Sequence, residues 1–66
     1  MKTLELISER KKKDLTQTEI SKLLNLSITQ YGKKERGKVD FTNSEIQKMK
    51  VILKLTPERI DEIFLT

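Results

Sequence analysis

Two short runs of cations carry the clearest chemistry in this sequence: Arg10–Lys13, and Lys33, Lys34, Arg36 and Lys38. Ammonium and guanidinium groups clustered in this way can hold a polyanion. Residues 1–38 carry ten basic and five acidic side chains, a sum of +5, and residues 39–66 carry four and five, a sum of −1. The net charge of +4 therefore belongs to the first part of the chain. Other chemistries lack their parts. Histidine and cysteine are both absent, which excludes disulfide frameworks, zinc fingers and Cys or His nucleophiles. No nucleophile–base set, metal cluster or glycine-rich phosphate loop is present. The chain is therefore expected to be no enzyme, with no cofactor and no small-molecule substrate. No apolar run approaches the roughly 20 residues of a membrane span, and no signal-peptide core follows Met1. No membrane partner is expected, and the expected location is cytoplasmic.

The elements that must position these cations are all helical. With 66 residues the chain makes one small domain, 1–66, whose stability should be modest. No alternating β-branched run marks a strand. The spacing predicts a first helix over about residues 3–13, with Leu4 and Ile7, and Leu6 and Arg10, on its sides. Thr16-Gln17-Thr18-Glu19 fits a capping box, and Ile20, Leu23 and Leu24 follow as a buried stripe. Asn25 suits the left-handed residue that ends a helix. Ser27-Ile28-Thr29-Gln30 is a second box, with Tyr31 as inward anchor and Gly37 as the stop. Gly32, inside this helix, costs about 1 kcal/mol against alanine unless something must approach its backbone. Thr42-Asn43-Ser44-Glu45 is a third box, and Thr56-Pro57 opens a last helix over 57–64.

Residues 16–36 thus form two short capped helices joined by Asn25-Leu26-Ser27, the geometry of a helix-turn-helix. The run Leu15-Thr16-Gln17, Glu19-Ile20, Leu24-Asn25-Leu26-Ser27, Tyr31 and Glu35-Arg36-Gly37-Lys38 resembles the phage Cro and repressor (XRE) family. That family typically reads "LTQ-x-E-L-A", then "G-V-S", then an apolar residue, then "E-x-G-K". The resemblance covers roughly residues 6–63 and implies an all-α, five-helix, lambda-repressor-like fold. Departures are Ser21 for alanine, Asn25 for the turn glycine, Tyr31 for an aliphatic residue, Lys34 for an apolar one and Lys54 for a second turn glycine.

The resemblance also implies roles. The second helix of the motif lies in the major groove while the preceding one crosses the phosphate backbone. Ile28, Thr29, Gly32 and Lys33 occupy the base-contacting positions. Ile28 and the Thr29 methyl suit a thymine methyl, Lys33 suits guanine, and Gly32 permits close approach. Gln17, Arg36, Lys38 and Asn43 are placed at the DNA backbone, and Lys11–Lys13 are read as a solvated face. Arg10 and Glu35 match a largely buried structural ion pair. The implied partner is double-stranded operator DNA, bound as a weak homodimer through Ile60, Ile63, Phe64 and Leu65. The implied function is that of a Cro-like repressor acting by occlusion in a bacterial or phage-infected cell. Two alternatives stand beside it: an antitoxin or controller that regulates its own operon, and a helix-turn-helix domain used only for protein interaction.

Overall fold

The computed structural model describes residues 1–65, and among them there are five helices and no strand. Thr66, included in the single-domain expectation, lies outside the described residues. The helices are α1 (Thr3–Lys12), α2 (Gln17–Leu23), α3 (Ile28–Glu35), α4 (Asn43–Ile52) and α5 (Pro57–Phe64).

Local chemistry explains both ends of most helices. Thr16, Ser27 and Thr42 accept the N–H of Glu19, Gln30 and Glu45, and each of those side chains accepts the cap's own N–H in return. Two orphan donors are thereby satisfied at each start. Thr56 accepts from the Arg59 N–H at 3.1 Å, with Pro57 in the first turn. At the other ends, Asp14, Asn25, Gly37 and Lys54 take left-handed conformations, with φ of 55, 59, 80 and 53°. The N–H of each following residue then reaches back, as in Leu26 to Ser21 O at 2.8 Å and Leu55 to Lys50 O at 3.0 Å. One device, the left-handed stop, ends four helices. The expectation for Asn25 and Gly37 holds. Asp14 joins them because a short polar side chain tolerates this region. The residues after Asp14, Asn25 and Lys54 are leucines, and Leu15, Leu26 and Leu55 all pack into or against the core.

The core gathers one stripe from every helix: Leu6, Ile20, Leu24, Tyr31, Met49, Leu53, Ile60 and Ile63, together with Phe41 and Leu55 from the connections. Phe41 stands 5.9 Å from Tyr31 and 5.7 Å edge-on from Phe64, so three rings link α3 to α5. The inward side of α1 is Leu6 and Arg10, whereas Leu4 faces solvent. A second link runs across α1 and α5. Arg59 donates from Nε to Glu9 at 2.9 Å and from Nη1 to Glu5 at 2.6 Å.

The fold corrects the expected subunit contact. Ile60 and Ile63 are interior residues of the domain, and Phe64 is half-buried against Phe41; Leu65 alone of the four is largely exposed. The i, i+3 pair of α5 is consumed in closing the core.

Candidate nucleic-acid interface

The helix pair α2–α3 owes its geometry to small and left-handed residues. Asn25 reverses the chain, half-buried Leu26 packs against the core behind it, and Ser21 is buried. The Ser21 hydroxyl donates to Thr18 O at 2.8 Å, so the serine that replaces alanine carries its own partner into the interior.

Behind α3 lies a buried polar cluster centred on Glu35, which is 2% exposed. Arg10 donates to it from Nε at 2.8 Å and from Nη2 at 3.4 Å, Gln17 Nε2 at 2.8 Å, and the Tyr31 hydroxyl at 2.7 Å. Arg10 Nη1 donates to Leu15 O at 2.7 Å. Among the described residues no buried side-chain polar atom lacks a partner. The ion pair expected from the sequence is present. Its extension to Tyr31 and Gln17 was not expected: tyrosine at an aliphatic position brings a hydroxyl that can reach the carboxylate one turn along α3. The cluster ties α1, the first turn of α2 and the inner side of α3 into one unit. It also orients Gln17 at the start of α2, leaving the second N–H of its amide for another acceptor.

Burial pushes the Glu35 carboxyl up, but the hydrogen bonds from Tyr31, Gln17 and Arg10 outweigh it and hold the group below the usual carboxylate range. Burial and the adjacent carboxylate push the Tyr31 hydroxyl far up, so it remains a donor. Because folded Glu35 releases its proton more readily than unfolded glutamate, its contribution to stability is complete above the ordinary value of 4.5 and is lost as pH falls through the lower folded value. Urea midpoints measured from about pH 6 down to pH 3 should therefore fall below about pH 4.5, and more steeply than in Glu35→Gln. Equal slopes for the two chains would remove Glu35 as the cause.

The opposite side of α3 faces outward. Ile28 is half-exposed, Thr29 and Lys33 are exposed, and Lys38 follows the helix in the open. Asn43 is exposed at the first turn of α4. Two positions differ from expectation. Gly32 is buried, not open to an approaching ligand: the Arg36 guanidinium lies over it, and a Cβ at Gly32 would stand 3.2 Å from Arg36 Nη1. Helical side chains lean toward the N-terminus, so residue i+4 covers residue i. Lys34 is committed, since its Nζ lies 2.6 Å from Glu45 Oε1, which also accepts the Thr42 N–H. That bond joins α3 to the start of α4. Lys11, Lys12 and Lys13 are exposed on and just beyond the last turn of α1.

Two capped helices joined by a left-handed turn, with one side of the second helix locked inward and the other open, define a helix-turn-helix domain. A family model described as "Helix-turn-helix" matches residues 6–60. The chain belongs to this family, the Cro/C1-type (XRE) helix-turn-helix proteins, and so is a DNA-binding regulator of that type whose family domain binds double-stranded DNA and is not catalytic. No curated protein and no solved structure matches it significantly. Among the described residues, no helix is long and apolar enough to cross a membrane.

Proposed function

We propose that the protein binds a near-palindromic operator as a homodimer and represses transcription by occlusion. The observation that supports this most is the division of α3: Tyr31 and Glu35 anchor one side in the interior, while Thr29 and Lys33 remain exposed on the other and Ile28 is exposed at the first turn. A helix held so firmly from behind presents its outer side without reorganisation. Ile28 and Thr29 take apolar contacts with thymine methyls, and Lys33 takes guanine O6 or N7. Lys38, Gln17 and Asn43 meet phosphates.

The size of the domain supports the dimer. The domain extends 27 × 23 × 21 Å, whereas half-sites one helical turn apart are separated by about 34 Å. One copy carries one reading helix and covers one half-site. Leu65 is the remaining apolar contact from the expected set. It is largely exposed at the end of α5, and we place the subunit contact around it.

The interaction-only reading also has an observation in its favour. An apolar hollow of about 700 Å³ lies between α2 and α4, lined by Leu23, Val51 and Ile52. Selection from a random pool of duplex DNA separates the readings. The expected result is a two-fold motif. Lys33→Ala should then lose about 1–3 kcal/mol of preference at one position of each half-site, whereas Lys38→Ala should weaken all sequences alike. No enrichment by the wild-type chain would overturn the operator reading, and equal behaviour of the two variants would overturn the assignment of Lys33.

A further inference from the structure

The placement of Arg36 over Gly32 has a consequence for specificity. The chain has three arginines. Arg10 is buried against Glu35, and Arg59 is held by Glu5 and Glu9. The Arg36 side chain has no hydrogen bond or ion pair among the described residues, yet its guanidinium is not splayed toward the end of the helix. It folds back one turn and rests on the bare backbone of Gly32. At about 100° per residue, Arg36 lies about 80° around the axis from Ile28, and Lys33 about 140°. Arg36 therefore lies between Ile28 and Lys33 around the axis, about 20° from Thr29, about 100° from Glu35 and about 140° from Tyr31.

We propose that Arg36 is a base-reading residue that recognises guanine in the major groove, with Gly32 as the seat that aims it. This rests on the DNA-binding reading above and changes the role of both residues within it. A guanidinium folded back over Gly32, beside the direction of Thr29, is carried toward the base edges. Its planar fork matches the O6 and N7 acceptors of guanine with two parallel hydrogen bonds. A phosphate contact would draw the same group to the rim of the groove. Gly32 lets the guanidinium lie this close: a Cβ there would stand 3.2 Å from Nη1 and displace it by a few tenths of an ångström.

The test is selection from a random duplex pool with the wild-type chain, Arg36→Met, Arg36→Lys and Gly32→Ala, each checked for native helicity by circular dichroism. The wild-type motif should contain one strongly preferred guanine per half-site that Arg36→Met makes degenerate, with discrimination falling about tenfold or more at that position and the rest of the motif intact. Arg36→Lys should keep affinity better than preference, since an ammonium supplies charge without the fork. Gly32→Ala should weaken the same position although Arg36 is retained. A motif unchanged in Arg36→Met, with affinity lost uniformly, would make Arg36 a phosphate contact and overturn the proposal. Loss of every position alike in Gly32→Ala would overturn the role of the seat. If the wild-type chain selects no motif, the operator reading itself fails, an outcome distinct from both.

Discussion

Replacing Arg10 with methionine should cost about 3–5 kcal/mol of folding free energy. The reason is the position of its partner. Arg10 is 8% exposed and Glu35 2%, so removing the guanidinium strands a carboxylate in the interior with only Tyr31 and Gln17 to donate to it. The carbonyl of Leu15 loses its Arg10 partner as well. At about 0.05–0.15 kcal/mol per residue, 66 residues give a total stability of about 3–10 kcal/mol. The loss is therefore between about a third and the whole of that stability, and the urea midpoint should fall far below that of the wild type. The double variant Arg10→Met, Glu35→Leu should recover part of the loss, because two charges leave the interior together. Recovery stays incomplete, since the Tyr31 hydroxyl and the Gln17 amide lose their acceptor. Urea unfolding followed by circular dichroism measures all three terms of the cycle. A single variant within about 1 kcal/mol of the wild type would mean that the pair is solvated in solution.

Affinity for operator DNA should fall about a thousandfold between about 50 and 200 mM salt, if a dimer sets about six phosphates against its cations. The structure narrows which cations can contribute. Arg10 and Arg59 are held in ion pairs within the domain, and Lys34 is bound to Glu45. Lys33, Arg36 and Lys38 remain on and just beyond α3; Lys38 is placed on a phosphate, and Lys33 and Arg36, placed on bases, still displace counterions from the adjacent phosphates. Each phosphate neutralised contributes about −0.9 to the slope of log affinity against log salt. Lys38→Ala should flatten that slope by about one for each protomer, with no change in sequence preference. The measurement is a fluorescence-anisotropy titration of the selected operator over a salt series. A slope near zero would remove phosphate contacts from the account and leave the interaction-only reading.

These predictions rest on parts of the molecule that differ in how openly the sequence shows them. The helix starts were legible because a capping box is complete within four residues: Thr16 and Glu19, Ser27 and Gln30, Thr42 and Glu45 need nothing from elsewhere. The stops at Asn25 and Gly37 were legible for the same reason. Asp14 and Lys54 were harder to read, since a left-handed aspartate or lysine is chosen by the turn around it rather than by its own preference. The Arg10–Glu35 pair was implied by family resemblance, because 25 residues separate its members. Its extension to Tyr31 had a local signal in the i, i+4 spacing, whereas the reach of Gln17 across to Glu35 had none.

Where the sequence misled, it was in deciding which side of a residue the solvent takes. Ile60, Ile63, Phe64 and Leu65 form one apolar group when written in a line, and only packing separates the three that close the core from the one left outside. Gly32 invites a ligand when read alone, and only side-chain geometry shows that Arg36 has already taken the place. The sequence by itself determined five helices, their limits and the helix-turn-helix, because hydroxyl caps, left-handed stops and the 3.6-residue period act within a few residues of chain. The tertiary structure decided which cations are free, which apolar residues are exposed and what covers the outer side of α3. Those outcomes depend on partners far apart in the chain, such as Lys34 with Glu45 and Arg59 with Glu5 and Glu9, and on competition among side chains for the same small volume.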